Sequence, residues 1–259
     1  MADFSAKDVQ ELRKSTGAGM MDAKRALVDS AGDFEAATQL LREKGLAKAL
    51  TRADRENSEG VVMVASDASG AALVQLKSET DFSAKSDGFQ KLASELVELV
   101  LAEGVDAVAQ KTTELENMKL EIKENIELGT VVRYEAQDGH SIDAYLHGGG
   151  TAGVLVEGTG LSDEQLHEIA LHIAFAKPRY LSRDEVPAED VAKEEAALLE
   201  ITKTEGKPEQ AWAKIVEGRL NAWFGEQVLL EQGVFGEKET VASRIGDGTL
   251  TRFTLAMIG

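Results

Sequence analysis

The sequence predicts an α+β protein: a three-helix amino-terminal segment, a core of two related subdomains that each set a small antiparallel sheet against helices, and an inserted antiparallel coiled-coil hairpin. Three observations predict it. Short amphipathic helix patterns follow one another from Ser5 to Leu41. A strand–turn–strand–junction–helix pattern occurs twice between Gly60 and Ala176. After Pro187, two long helical patterns are joined by Glu205-Gly206-Lys207-Pro208, where Gly stops one helix and Pro starts the next.

The elements follow in order. Ser5 caps a helix to Lys14, with Asp8 three residues on as the return half of a capping box. Thr16-Gly17-Ala18-Gly19 is a turn, Met21–Val28 a second helix with Ala23, Ala26 and Leu27 inward, and Asp33 caps a third helix through Leu41 that Gly45 stops. Thr51–Glu59 is charged and reads as a linker. Gly60–Ala65 and Ala71–Leu76 are strands around the turn at Asp67–Gly70. The junction Ser78–Gly88 leads into a helix over Phe89–Leu101, and Val105–Ile126 continues as helix, with Leu115, Met118, Ile122 and Ile126 near helical spacing. The pattern then recurs, with strands at Thr130–Glu135, Ser141–Leu146 and Gly153–Glu157 and a helix from Ser162 to Ala176 that ends before Pro178. In the hairpin, Val191, Leu198 and Ile201 face Trp212, Val216, Leu220 and Trp223. Leu250–Ile258 alternates weakly and is read as an edge strand returning to the second subdomain.

Composition excludes several classes of function. The chain has 259 residues and no cysteine, so disulfides and thiolate metal sites are ruled out. A hydrophobic content of 43% supports a true core rather than disorder. With 28 Lys and Arg against 46 Asp and Glu, the net charge is −18, a poor balance for binding phosphate backbones, so no direct nucleic-acid contact is expected. Residues 1–8 hold no apolar signal region, and no run approaches the roughly 20 apolar residues that span a bilayer. The sequence reads as a soluble, cytoplasmic protein that touches no membrane and carries no cofactor.

The candidates for chemistry are few. His167 and His172 share a helix but stand five residues apart, where a zinc pair wants four, so no metal site is expected. His140 lies at a turn tip and His147 at a strand end before Gly148-Gly149-Gly150. Neither this glycine run nor Gly17-Ala18-Gly19 fits a phosphate-binding motif, and no serine sits in a nucleophile elbow. In the junction, Asp81 next to Phe82 reads in two ways: a helix cap beside a core plug, or an acidic aromatic wedge aimed at a partner.

Four stretches carry a family likeness: Leu12–Leu27, Leu41–Ala49, Glu79-Thr80-Asp81-Phe82-Ser83-Ala84-Lys85, and His172–Pro178 followed by Gly206-Lys207-Pro208 and Val216–Arg219. Together they resemble the elongation factor Ts family, the guanine-nucleotide exchange factors of elongation factor Tu. The resemblance implies a ubiquitin-associated-like helical domain over residues 1–55, a core subdomain over 56–139, a second formed by 140–186 with 226–259, and a coiled-coil insertion over 187–225. It implies that Asp81 and Phe82 enter the partner's nucleotide domain, that Thr80, Asp81, Phe82 and Ser83 displace the partner's magnesium ion, and that His147 contacts the partner near the same region. The amino-terminal helices, Ser5 to about Arg52, are implied to touch the same domain.

This chain departs from the family pattern at three places. Ala23 stands where cysteine is common, so that thiol is not needed. Ser83 replaces a frequent valine, which is expected to leave the wedge less apolar, and Lys123 replaces a common glycine, which puts a close backbone contact there in doubt. A further carboxy-terminal module that some members carry is not expected after Gly259.

The function implied is that of a translation factor, not an enzyme: it binds elongation factor Tu, in its GDP-bound and nucleotide-free forms, and promotes GDP release so that GTP can rebind. The hairpin implies a further partner contact or self-association, as a homodimer or a 2:2 complex with elongation factor Tu. The rival readings are a helical adaptor without exchange activity and a hydrolase built on the many carboxylates.

Overall fold

A computed structural model describes residues 4–259. Its order is α1 (Ala6–Thr16), α2 (Met20–Asp29), α3 (Phe34–Leu50), β1 (Glu59–Asp67), β2 (Gly70–Ser78), α4 (Asp81–Ala84), α5 (Asp87–Glu103), α6 (Thr112–Ile122), β3 (Glu127–Glu135), β4 (His140–His147), β5 (Ala152–Thr159), α7 (Asp163–Ala176), α8 (Ala188–Thr204), α9 (Trp212–Gln227), α10 (Val241–Ile245) and β6 (Thr249–Met257). The fold is α+β, with two three-stranded sheets in the orders β1-β2-β3 and β4-β5-β6. The chain divides into two compact units, one of residues 4–63, 74–131 and 258–259 and one of residues 64–73 and 132–257.

The first unit opens with the expected capping box. Ser5 Oγ accepts the Asp8 N–H, and the Asp8 carboxylate accepts the Ser5 N–H at 2.6 Å. Helix α1 ends at Gly17, whose φ of +64° is left-handed and suits glycine. Helices α1–α3 pack around Val9, Leu12, Ala23, Ala26, Leu27, Ala37 and Leu41. Ala23 is part of this core, so the small side chain there serves packing.

Gly45 does not stop α3, which runs on to Leu50. Its missing side chain has another use: a Cβ there would collide with the Leu120 side chain of α6. The two helices are also tied by Arg42 and Glu116 at 3.1 Å. The charged segment after α3 is irregular, as expected, yet pinned: Asn125 Nδ2 donates to the carbonyls of Ala53 and Arg55, and Asn57 Nδ2 donates to Glu127.

The helix expected over Val105–Ile126 is broken in two. Gly104 stands at φ +97°, a 3₁₀ segment covers Val105–Lys111, and α6 occupies only Thr112–Ile122. Lys123 ends α6 at φ +64°, the left-handed conformation that glycine adopts most cheaply, so this lysine sits where a glycine would carry no strain. Strand β3 pairs beside β2 and completes the first sheet. The strand expected at Thr130–Glu135 therefore closes the first sheet and does not open the second.

In the second unit, β5 pairs antiparallel with β4 (Asp143 opposite Val156) and with β6 (Ala152 opposite Met257). The weak alternation over Leu250–Ile258 is thus strand β6, on the edge of that sheet. Helix α7 begins with a second capping box, Ser162 with Gln165, and buries Leu166, Ile169 and Ile173 against Val154, Val156 and Leu229.

Helices α8 and α9 form a pair that lies, in chain order, between β5 and β6. One inward residue differs from expectation. Ile201 is 49% exposed, whereas Thr202 is fully buried. The Thr202 hydroxyl donates to the Leu198 carbonyl and accepts from Arg219, which also grips both oxygens of Glu205 at 2.7 Å. A polar network running from the buried Thr202 to the surface takes the place of an aliphatic contact.

Candidate functional site

The link between β2 and α5 is one turn of helix, α4, with an inner and an outer side. Thr80 is its cap, not Asp81: Thr80 Oγ1 accepts the Ser83 N–H at 3.2 Å. Ser83 and Ala84 face inward and are buried. Asp81 and Phe82 face outward, and Phe82 is 87% exposed. The core-plug reading of Phe82 is excluded. Ser83 lies beneath the turn at 8% exposure, so it does not reduce the apolar area that the turn presents, contrary to expectation.

Asp81 is not a lone charge. Lys85 Nζ lies 2.6 Å from its carboxylate. The hydrogen bond and charge of Lys85 hold the Asp81 carboxyl below the usual aspartate range, and Asp81 in turn raises Lys85.

Beneath the turn sits Glu124, in the short link between α6 and β3. One of its oxygens accepts the backbone N–H groups of Glu79 and Thr80, each at 3.1 Å. The other accepts the hydroxyls of Thr80 and Ser83, each at 2.7 Å. The reverse contact is also made: Glu79 accepts the Asn125 N–H at 2.6 Å. Glu124 was not singled out from the sequence, and its 44-residue separation from Thr80 leaves no periodic signal.

Elsewhere in the first unit, Met20 and Met21 are exposed at the start of α2. Arg13, Lys14 and Lys123 border a cleft of about 690 Å³ there, together with Gly17–Met20.

His147 belongs to the second unit. It is exposed at the end of β4, with Nδ1 2.9 Å from the Tyr145 hydroxyl. Gly148, Gly149 and Gly150 all have positive φ, and the Gly150 and Thr151 N–H groups donate back to the His147 carbonyl. The glycines therefore reverse the chain. His167 is paired with Asp143 at 3.2 Å, and His140 lies 3.5 Å from Glu157.

His172 is fully buried: its Nδ1 accepts the Phe235 N–H, and its Nε2 lies 3.1 Å from Gln232 Oε1, so Nε2 carries the proton. Burial lowers its pKa. Among the described residues no three His, Asp or Glu side chains converge to hold a metal ion, and no helix is long and apolar enough to cross a membrane.

The comparison with known proteins gives the family. The family model described as elongation factor TS matches residues 79–258. The chain is 43% identical to elongation factor Ts of Mycobacterium avium, over 100% of this chain and 99% of the relative. It is 37% identical to elongation factor Ts of Deinococcus radiodurans, over 98% of this chain and 99% of the relative. The chain belongs to the elongation factor Ts family.

This places it among the translation elongation factors, as the likeness of the four stretches implied. The stretch matched to elongation factor TS begins at Glu79, the residue whose N–H and carboxylate take part in the double contact with Glu124 and Asn125. Helices α1–α3 lie before that stretch but within the full-length alignments to the elongation factor Ts relatives.

Proposed function

We propose that this chain is the guanine-nucleotide exchange factor of elongation factor Tu. In this reading it binds the GDP-bound partner, inserts Phe82 with Asp81 beside it, displaces the partner's magnesium ion and so lets GDP leave and GTP bind. The single observation that supports the reading best is the exposed Phe82 ring on a turn braced from below.

Burying such a ring stabilises a complex by about 1.5–3 kcal/mol, enough to offset a local rearrangement in the partner. A carboxylate beside the ring, at Asp81, brings negative charge to the ligands of a bound cation. No bond is made or broken by this chain. It acts by binding the nucleotide-free partner better than the loaded one, and the coupling is reciprocal.

Thr80 and Ser83 support the wedge from within, and His147 together with helices α1–α3 supplies further partner contact. We take residues 1–55, 56–139, 140–186 with 226–259, and 187–225 as the working segments: a ubiquitin-associated-like domain, two related core subdomains and a coiled-coil insertion. The α8–α9 pair adds a contact to elongation factor Tu or to a second copy of the chain. The reading places the protein in the cytoplasm, where its partner works, with no direct role for nucleic acid.

The test is release of labelled GDP from elongation factor Tu with and without the chain. An exchange factor accelerates release; an adaptor binds and leaves the rate unchanged.

A further inference from the structure

We infer that Glu124 is a positioning residue for nucleotide exchange: it holds the Thr80–Ser83 turn in the shape that keeps Phe82 clear of the protein surface before any partner arrives. The inference rests on the reading of Phe82 as the wedge. A single helical turn is too short to be stable by itself, because nucleation fixes several residues for one hydrogen bond. An exposed aromatic ring also gains by folding back onto apolar surface. Something outside the turn must therefore keep it open.

Glu124 is that brace. Its two oxygens accept four donors from residues 79–83: two backbone N–H groups and two hydroxyls. Such bonds to an ionised acceptor are the strong ones. Glu124 is itself fixed on both sides. Lys123 is left-handed, Asn125 gives its N–H to Glu79, and the Asn125 side chain donates to the Ala53 and Arg55 carbonyls. Each of the two loops therefore binds the backbone of the other with a carboxylate.

A turn held in its binding shape avoids the ordering cost on association, and loss of the brace lowers the fraction of competent molecules. The change then appears in the concentration of factor needed, with little change in the maximal rate.

The experiment titrates GDP release from elongation factor Tu against the concentration of factor, for wild type, Glu124→Ala, Glu124→Gln, Phe82→Ala and the double variant Phe82→Ala with Glu124→Ala. It adds native-state hydrogen exchange at the Glu79 and Thr80 amides of the free chain. We expect Glu124→Ala to raise the half-saturating concentration by about tenfold or more with the maximal rate changed by less than about threefold, and to speed amide exchange at Glu79 and Thr80. In the Phe82→Ala background it adds little further loss. Glu124→Gln, which keeps one oxygen acceptor, shifts the curve in the same direction by less; it is the variant read if the alanine form does not fold.

A wild-type titration for the Glu124 variants beside an impaired Phe82→Ala overturns the inference. A wild-type titration for Phe82→Ala overturns the wedge reading instead. The amide exchange then still decides the role of Glu124, since unchanged protection of Glu79 and Thr80 excludes the brace.

Discussion

Lys85 and Asp81 form an ion pair at 2.6 Å across the same helical turn that carries Phe82. An Asp at i and a Lys at i+4 suit the helix surface, but both side chains are exposed, and water screens such a pair so that it contributes little. Asp81 is thus kept ionised and yet can exchange its partner at little cost. Removal of Lys85 and removal of Asp81 are expected to differ sharply. Lys85→Ala changes the GDP-release rate by less than about fivefold, the equivalent of one exposed pair. Asp81→Ala slows it by about tenfold, if the carboxylate acts on the ligands of the partner's magnesium ion. Stopped-flow GDP release with the two variants checks this, and equal losses would remove the special role given to Asp81.

The buried His172 sets a pH dependence. Its folded-state pKa is lowered, chiefly by burial, against the opposing hydrogen bond to Gln232 and the charge of Glu168. Between the lowered value and the ordinary histidine value of about 6.5, the unfolded chain binds more protons than the folded one. Stability therefore rises with pH in that window. The contribution of a neutral His172 is complete above about pH 6.5 and is lost as the pH falls from there through the folded-state value. Urea unfolding between about pH 5 and 7.5 is expected to show this slope in the wild type and a flatter one in His172→Gln.

A buried charge lies in the β4-β5-β6 sheet. Glu157 on β5 is almost fully buried, and its carboxylate accepts from Arg252 at 2.7 Å and from the Thr251 hydroxyl at 2.9 Å. Burial pushes the Glu157 pKa up, but the bonds from Arg252 and Thr251 outweigh it, and the net direction is down. The Arg252 guanidinium also stacks 3.9 Å from the centre of the Tyr134 ring. Arg252→Ala leaves the buried carboxylate with only the Thr251 hydroxyl and His140 beside it and, because Arg252 is itself partly screened by solvent, is expected to cost about 1–3 kcal/mol in urea unfolding. Glu157→Gln, which removes the charge while keeping a polar group of the same size, is expected to cost less.

Much of this fold was legible because its signals are local. Ser5 with Asp8 marks the start of α1, and Ser162 that of α7; Gly206 and Pro208 bracket the α8–α9 link; and the weak alternation near the carboxy terminus marks β6. What was not legible depends on contacts distant in sequence. Gly45 reads as a helix stop, yet its role is fixed by Leu120 on another helix. Leu115, Met118 and Ile122 do mark α6, but Ile126 falls near the same period only by chance, past a left-handed Lys123. The same limit applied at the site. Asp81 and Phe82 stood out as an acidic–aromatic pair in a polar junction, but residue type alone left the ring's direction open between core and solvent. Ser83 reads from residue type as part of the wedge surface, whereas it is buried and donates to Glu124, more than 40 residues away.

The central claim is that one exposed ring drives exchange. The most direct test is the rate at which labelled GDP leaves elongation factor Tu in the presence of the Phe82→Ala variant, with circular dichroism to show that the fold is kept. At about 1.5–3 kcal/mol for the buried ring, the account predicts a loss of at least about tenfold relative to wild type with unchanged secondary structure. A folded Phe82→Ala variant that releases GDP as fast as wild type would contradict it.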